Sequence, residues 1–110
     1  MDLKQFGRPI TRGSANVWKS GEPVRGKLYL LEHALVHQQE GYHLRSDTVI
    51  IELGDIKEVT FKNFFGIIPN GLVIRLNDDK KYTLVVNRRK RWLNAIETQC
   101  KARENDNNSV

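Results

Sequence analysis

The chain has one cysteine, Cys100, so it closes no internal disulfide, which fits a reducing compartment such as the cytoplasm. Its longest apolar stretch, Phe64 to Ile68, falls far short of the roughly 20 residues a membrane-spanning helix needs. The first residues do not join a positively charged start to an apolar core, so no secretory signal is expected. No two glycines lie two residues apart, which excludes a dinucleotide fingerprint, and neither a phosphate loop nor a nucleophile elbow is present. Ser14, Ser20, Ser46 and Ser109 stand in polar surroundings without an evident base. Nothing in the chain implies catalysis or a cofactor, and no segment repeats.

What is there describes a domain. A chain of 110 residues folds as one unit that buries roughly two-thirds of the surface its unfolded form exposes. Hydrophobic residues at 39% and a mean hydropathy of -0.53 are those of a globular protein. Eighteen Lys and Arg against thirteen Asp and Glu leave a net charge of +5. Such an excess favours acidic partners, meaning phospholipid, nucleic acid or acidic protein, without choosing among them.

The hydrophobic period changes along the chain. Lys81 to Val86 alternates, with Tyr82, Leu84 and Val86 on one side, as in a half-buried strand. Beyond Asn87, which suits a helix N-cap, Trp92, Leu93, Ile96 and Cys100 recur at helical spacing. Further strands are predicted over Ser14–Lys19, Gly26–Leu30, Ala34–Gln38, Thr48–Leu53, Ile56–Phe61 (with a bulge) and Leu72–Leu76. Ile50 spoils the alternation of Val49, Ile51 and Leu53. Gly21-Glu22-Pro23, Glu32-His33, Pro69-Asn70-Gly71 and Asn77 to Lys80 read as loops or turns. Residues 1–13 read as an irregular lead, 14–104 as the domain and 105–110 as a flexible tail. About seven short strands and one terminal helix predict a mainly β barrel or sandwich, its open end plugged by Trp92.

Three segments in order resemble the GRAM family of the pleckstrin-homology-like superfold. They are Gly26 to Leu30, Leu53 to Val59, and Gly71-Leu72-Val73-Ile74 through Lys81-Tyr82 to Arg91-Trp92. The likeness spans about Asn16 to Ala102 and is closest to the small free-standing bacterial versions. Leu31 stands where the family usually has Thr, His37 where an aromatic often sits, and Gly54 in place of a frequent Ser. The resemblance implies a seven-stranded, strongly bent sheet, or partly open barrel, capped by the C-terminal α-helix. It also implies a cytoplasmic adaptor, peripheral at the membrane, that binds anionic lipid head groups or an unidentified protein.

Four clusters are candidates for function. Lys19, Arg25 and Lys27 loosely match the basic motif that phosphoinositide-binding relatives carry around the first hairpin; solvated surface charge is the alternative. Arg88, Arg89, Lys90 and Arg91 oppose the helix dipole by a few tenths of a kcal/mol each, so they need Glu52, Asp55 or Glu58, or an external anion. Phe64, Phe65 and Ile67 form an apolar contact loop if they close a hairpin, and core if they extend the strands. His33, His37 and His43 read as surface or edge histidines rather than zinc ligands. The aromatic pattern of RNA-recognition strands is missing near Lys62, so nucleic-acid binding is not expected. Each cation near an anionic surface contributes about 1 kcal/mol, so three or four give about millimolar affinity.

Overall fold

The computed structural model describes residues 4–19, 21–40, 48–64 and 68–108. Its strands are β1 (Pro9–Lys19), β2 (Glu22–Leu31), β3 (Ala34–Gln39), β4 (Thr48–Glu52), β5 (Ile56–Phe64), β6 (Ile68–Leu76) and β7 (Lys81–Val86). One helix, α1 (Arg89–Asn108), follows. Every strand pairing is antiparallel, in the order β4-β3-β2-β1-β7-β6-β5, and the sheet curls into a half-barrel. This is the bent sheet with one capping helix that the sequence predicts.

Alternation decides what the half-barrel encloses. Val17, Leu28, Leu30, Leu35, Leu72, Ile74 and Leu84 face inward and are at most 1% exposed. Trp92 and Ile96 close this core from α1, and Leu93 and Cys100 pack against it. Leu31, Ala34 and Val36 form a second buried cluster on the other face of the sheet, packed against Phe6, Tyr29 and Ile50. Ile50 therefore breaks the alternation because both faces of β4 are apolar.

Several local expectations are corrected. The lead is ordered from Lys4, where a 3-10 turn (Lys4–Phe6) docks on the β2–β3 turn through His33 N–H to the Phe6 carbonyl at 2.9 Å. Residues 9–13, read as irregular, belong to β1. The first hairpin is tight: Lys19 pairs with Glu22, so Glu22 and Pro23 belong to the strand rather than to a loop. Gly21, at φ 79°, takes the left-handed conformation that this turn needs. Pro69-Asn70-Gly71 is not a turn but lies within β6, with Gly71 opposite both Lys62 and Val85. The helix backbone continues to Asn108, into the segment read as a tail. Asn87 is not the helix cap; Arg88 precedes α1, and its carbonyl accepts the N–H groups of Arg91 and Trp92.

Candidate functional site

A strand pair assigns its side chains to faces, and directly opposed residues share one. Val17 and Val24 are opposed and face the core, which puts Lys19 and Glu22 on that same side. Arg25, opposite Asn16, and Lys27, opposite Ser14, project from the outer face. The structure therefore separates Lys19 from Arg25 and Lys27. In its place comes Arg12, opposite Tyr29 on the outer face, which the sequence reading missed. Lys27 donates to Ser14 Oγ at 3.2 Å and lies 3.8 Å from Glu40.

At the other margin of β1 the sheet opens. Among the described residues, β1 meets β7 only at Ala15, Asn16 and Val17. At Val86 the chain leaves the sheet, and Arg88, at φ 57°, swings it into α1. A non-glycine residue at positive φ is strained, and such strain gathers at functional sites. The departure leaves a cleft of about 280 Å³ between β1 and α1, lined by Arg12, Ser14, Asn87, Arg88, Arg91 and Trp92 among others. Adjoining depressions of about 390 Å³ and about 490 Å³ share Ser14 with it and add Arg25 and Lys27. The outer face of β1 and β2 and the corner before α1 thus form one basic surface.

The four cations before Trp92 divide. Arg89 folds back onto β5, donating to the Lys62 carbonyl at 3.1 Å and Asn63 Oδ1 at 2.8 Å. Its guanidinium also lies 4.4 Å from the centroid of the Phe61 ring, a cation–π contact that covers part of this exposed aromatic. Arg89 is a clasp between helix and sheet. Among the described residues, neither Glu52, Asp55 nor Glu58 forms an ion pair with Arg88, Lys90 or Arg91; Glu58 bonds Arg75 at 3.0 Å instead. Arg88, Lys90 and Arg91 are exposed.

Of the apolar loop, Phe64 ends β5 opposite Ile68, while Phe65 and Ile67 lie outside the described residues. His43 does too. Among the described residues no cluster of His, Cys, Asp and Glu could hold a metal ion.

His33 is exposed, but His37 corrects the expectation of surface histidines: it is 2% exposed and faces inward beside Leu28. Its Nε2–H donates to the Ala15 carbonyl at 3.0 Å, which fixes the neutral Nε2 tautomer, while Nδ1 has no partner among the described residues. Burial holds its pKa below the ordinary 6.5, and nearby Lys19 adds to the depression; the Ala15 bond and Glu40 oppose it. The unfolded chain therefore takes up this proton at higher pH than the folded one, so stability present above about pH 6.5 is lost as pH falls through that value. Urea midpoints should drop between about pH 7.5 and about pH 5.5, and less in His37→Gln. An unchanged pH dependence in the variant would show that other groups carry the effect.

No helix among the described residues is long and apolar enough to cross a membrane. No family model matches the chain, and no curated protein matches it. Solved structures do. The C-terminal domain of an unknown protein from Leishmania infantum superposes with a TM-score of 0.72 at 16% identity, over 84% of this chain and 83% of that one. The linker-DH/PH structure of p115-RhoGEF gives 0.71 at 14% identity over 86% of this chain, which spans only 29% of that longer chain. The PH domain of Slm1, in complex with phosphoserine, gives 0.64 at 12% identity, over 84% of this chain and 96% of that one. The fold is PH-like.

Proposed function

We propose that the chain is a non-catalytic, GRAM-type binding domain of a bacterial cytoplasm, an adaptor that docks weakly on anionic membrane lipid. The observation that carries this reading is the shared outer face of Arg12, Arg25 and Lys27, continuous with Arg88 and Arg91. PH-like folds commonly serve as lipid- or protein-binding modules, and the phosphoserine complex of the Slm1 domain accords with an anionic ligand. Affinity from point charges alone is about millimolar, so residence on a membrane is brief.

Co-sedimentation with phosphatidylglycerol vesicles should exceed that with neutral vesicles and fall as salt rises. Arg25→Gln with Lys27→Gln should cut the bound fraction several-fold, because each cation is worth about 1 kcal/mol near such a surface. Lys19→Gln, on the opposite face, should cut it less. Equal sedimentation with both vesicles would sink the lipid reading and leave the alternative, a protein-interaction module without lipid affinity.

A further inference from the structure

We propose that the cleft between β1 and α1 binds a phosphomonoester dianion through Arg12, Arg88 and Arg91. This deepens the reading of the basic surface by naming its ligand chemistry, and it relies on that reading only for a membrane source of the ligand.

The chemistry follows from what lines the cleft. Three other arginines have found partners: Arg8 lies 3.7 Å from Glu32, Arg75 bonds Glu58, and Arg89 bonds Lys62 and Asn63. Arg12, Arg88 and Arg91 are exposed and, among the described residues, make no ion pair. They reach one cavity from two directions, Arg12 from β1 and the other two from the corner before and the first turn of α1. Three arginines lining one opening of about 280 Å³ concentrate positive charge there, which an anion between them would neutralise.

Geometry narrows the anion. Guanidinium forks match phosphate oxygens in bidentate pairs, better than ammonium groups do. A phosphomonoester carries close to two charges at neutral pH and three terminal oxygens, enough to engage three forks. A diester offers one charge and two such oxygens. Ser14 Oγ already accepts from Lys27 Nζ, so its own hydroxyl hydrogen is left for a ligand, and Asn87 adds amide donors. Gly13 keeps the floor open: its position faces Trp92, where a Cβ would lie 3.4 Å from Cζ2. The volume is at the small end of ligand pockets, about 300–1,000 Å³, which suits a head group rather than a large molecule.

The test uses glycerol 3-phosphate as a soluble probe, followed by amide shifts in the full chain. Saturable shifts at Gly13, Ser14 and Asn87 are expected. Arg12→Gln and Arg91→Gln should each weaken binding at least about tenfold, since each removes a charge-assisted hydrogen bond. Arg91→Lys should restore part of the loss. Glycerophosphocholine, a diester, should shift these amides little. Unchanged thermal midpoints in the variants would show that they remain folded.

Phosphatidic acid vesicles, which present a monoester, are then compared with phosphatidylglycerol vesicles of equal charge. Preference for phosphatidic acid that disappears in Arg12→Gln supports the cleft with a lipid source. Saturable glycerol 3-phosphate binding without that preference supports it with a soluble source. If the diester shifts the same amides equally, or if Arg12→Gln and Arg91→Gln bind glycerol 3-phosphate like the parent, the proposal is overturned. If vesicles bind through Arg25 and Lys27 but glycerol 3-phosphate leaves the cleft amides unmoved, the cleft proposal fails and the basic-surface reading stands.

Discussion

Trp92→Ala is expected to lower the unfolding free energy by about 3–5 kcal/mol, the cost of emptying a large aromatic from a core. Trp92 is 7% exposed and belongs to the main cluster with Ala15, Val17, Val86 and Ile96. It joins α1 to the mouth of the half-barrel at a place where β1 and β7 have parted. Gly13 stands next to the indole and has no side chain with which to fill the space. A domain of this size is stable by about 5–15 kcal/mol, so the loss is a large part of the total. Urea unfolding followed by circular dichroism should show it, with the thermal midpoint falling by more than about 10 °C. Trp92→Phe, which keeps an aromatic ring in the core, should lose distinctly less. A fall below about 1 kcal/mol for Trp92→Ala would mean that the helix is not the plug.

Gly26→Ala should be comparably severe, for a different reason. Gly26 sits in β2 between Ala15 of β1 and Gln39 of β3. A Cβ there would press into the Gln38 carbonyl and lie 2.6 Å from His37 Cε1 and 2.8 Å from Nε2. The imidazole crosses this space to reach the Ala15 carbonyl, so the glycine is what lets His37 bond to β1. Overpacking usually costs about 1–3 kcal/mol, and a backbone obstacle that cannot rotate away puts this one at about 3 kcal/mol or more. Adding His37→Ala to Gly26→Ala should recover only a fraction, because the Gln38 carbonyl remains. Full recovery in the double variant would locate the whole obstruction in the side chain and overturn the backbone argument. The measurement is a double-mutant cycle on urea midpoints.

Gly26 also shows how the sequence and the structure divide the information. The resemblance to GRAM domains passes through Gly26-Lys27-Leu28-Tyr29-Leu30, but nothing local tells why the first residue is glycine. The reason lies with the Gln38 carbonyl and the His37 ring, distant in sequence and brought across by β3. The same holds for the burial of His37 itself. A histidine in a short strand reads as surface until its neighbours are known, because its environment depends on two other strands. Ile50 is the converse case. Its misfit was visible in the alternation, and the physical cause is a second apolar cluster on the outer face.

The basic residues divide along the same line. Whether Lys19 shares a face with Arg25 depends on the number of residues in the turn between them, because side chains alternate with a period of two. A longer loop and a tight two-residue turn are both compatible with Gly21-Glu22-Pro23. The pairing of Lys19 with Glu22 selects the tight turn, and Lys19 moves to the face opposite Arg25 and Lys27. Arg12 gave no signal at all, since it lay in a segment without clear periodicity. It enters the site only because β1 runs on past the end of β7.

The sequence by itself determined the class of the fold: alternating runs that must bury one face, a single change of period at the end of the last strand, and Trp92 with Ile96 on the helix side that closes the core. Those are short-range consequences of backbone geometry and hydrophobic burial. Only the tertiary structure decided which cations lie together. Arg89 is spent on Phe61 and Asn63, Lys19 faces the core side, and Arg12 stands with Arg88 and Arg91 around one cleft. Charge carries no period that fixes its neighbours across a sheet; strand register and the point where a chain leaves the sheet do.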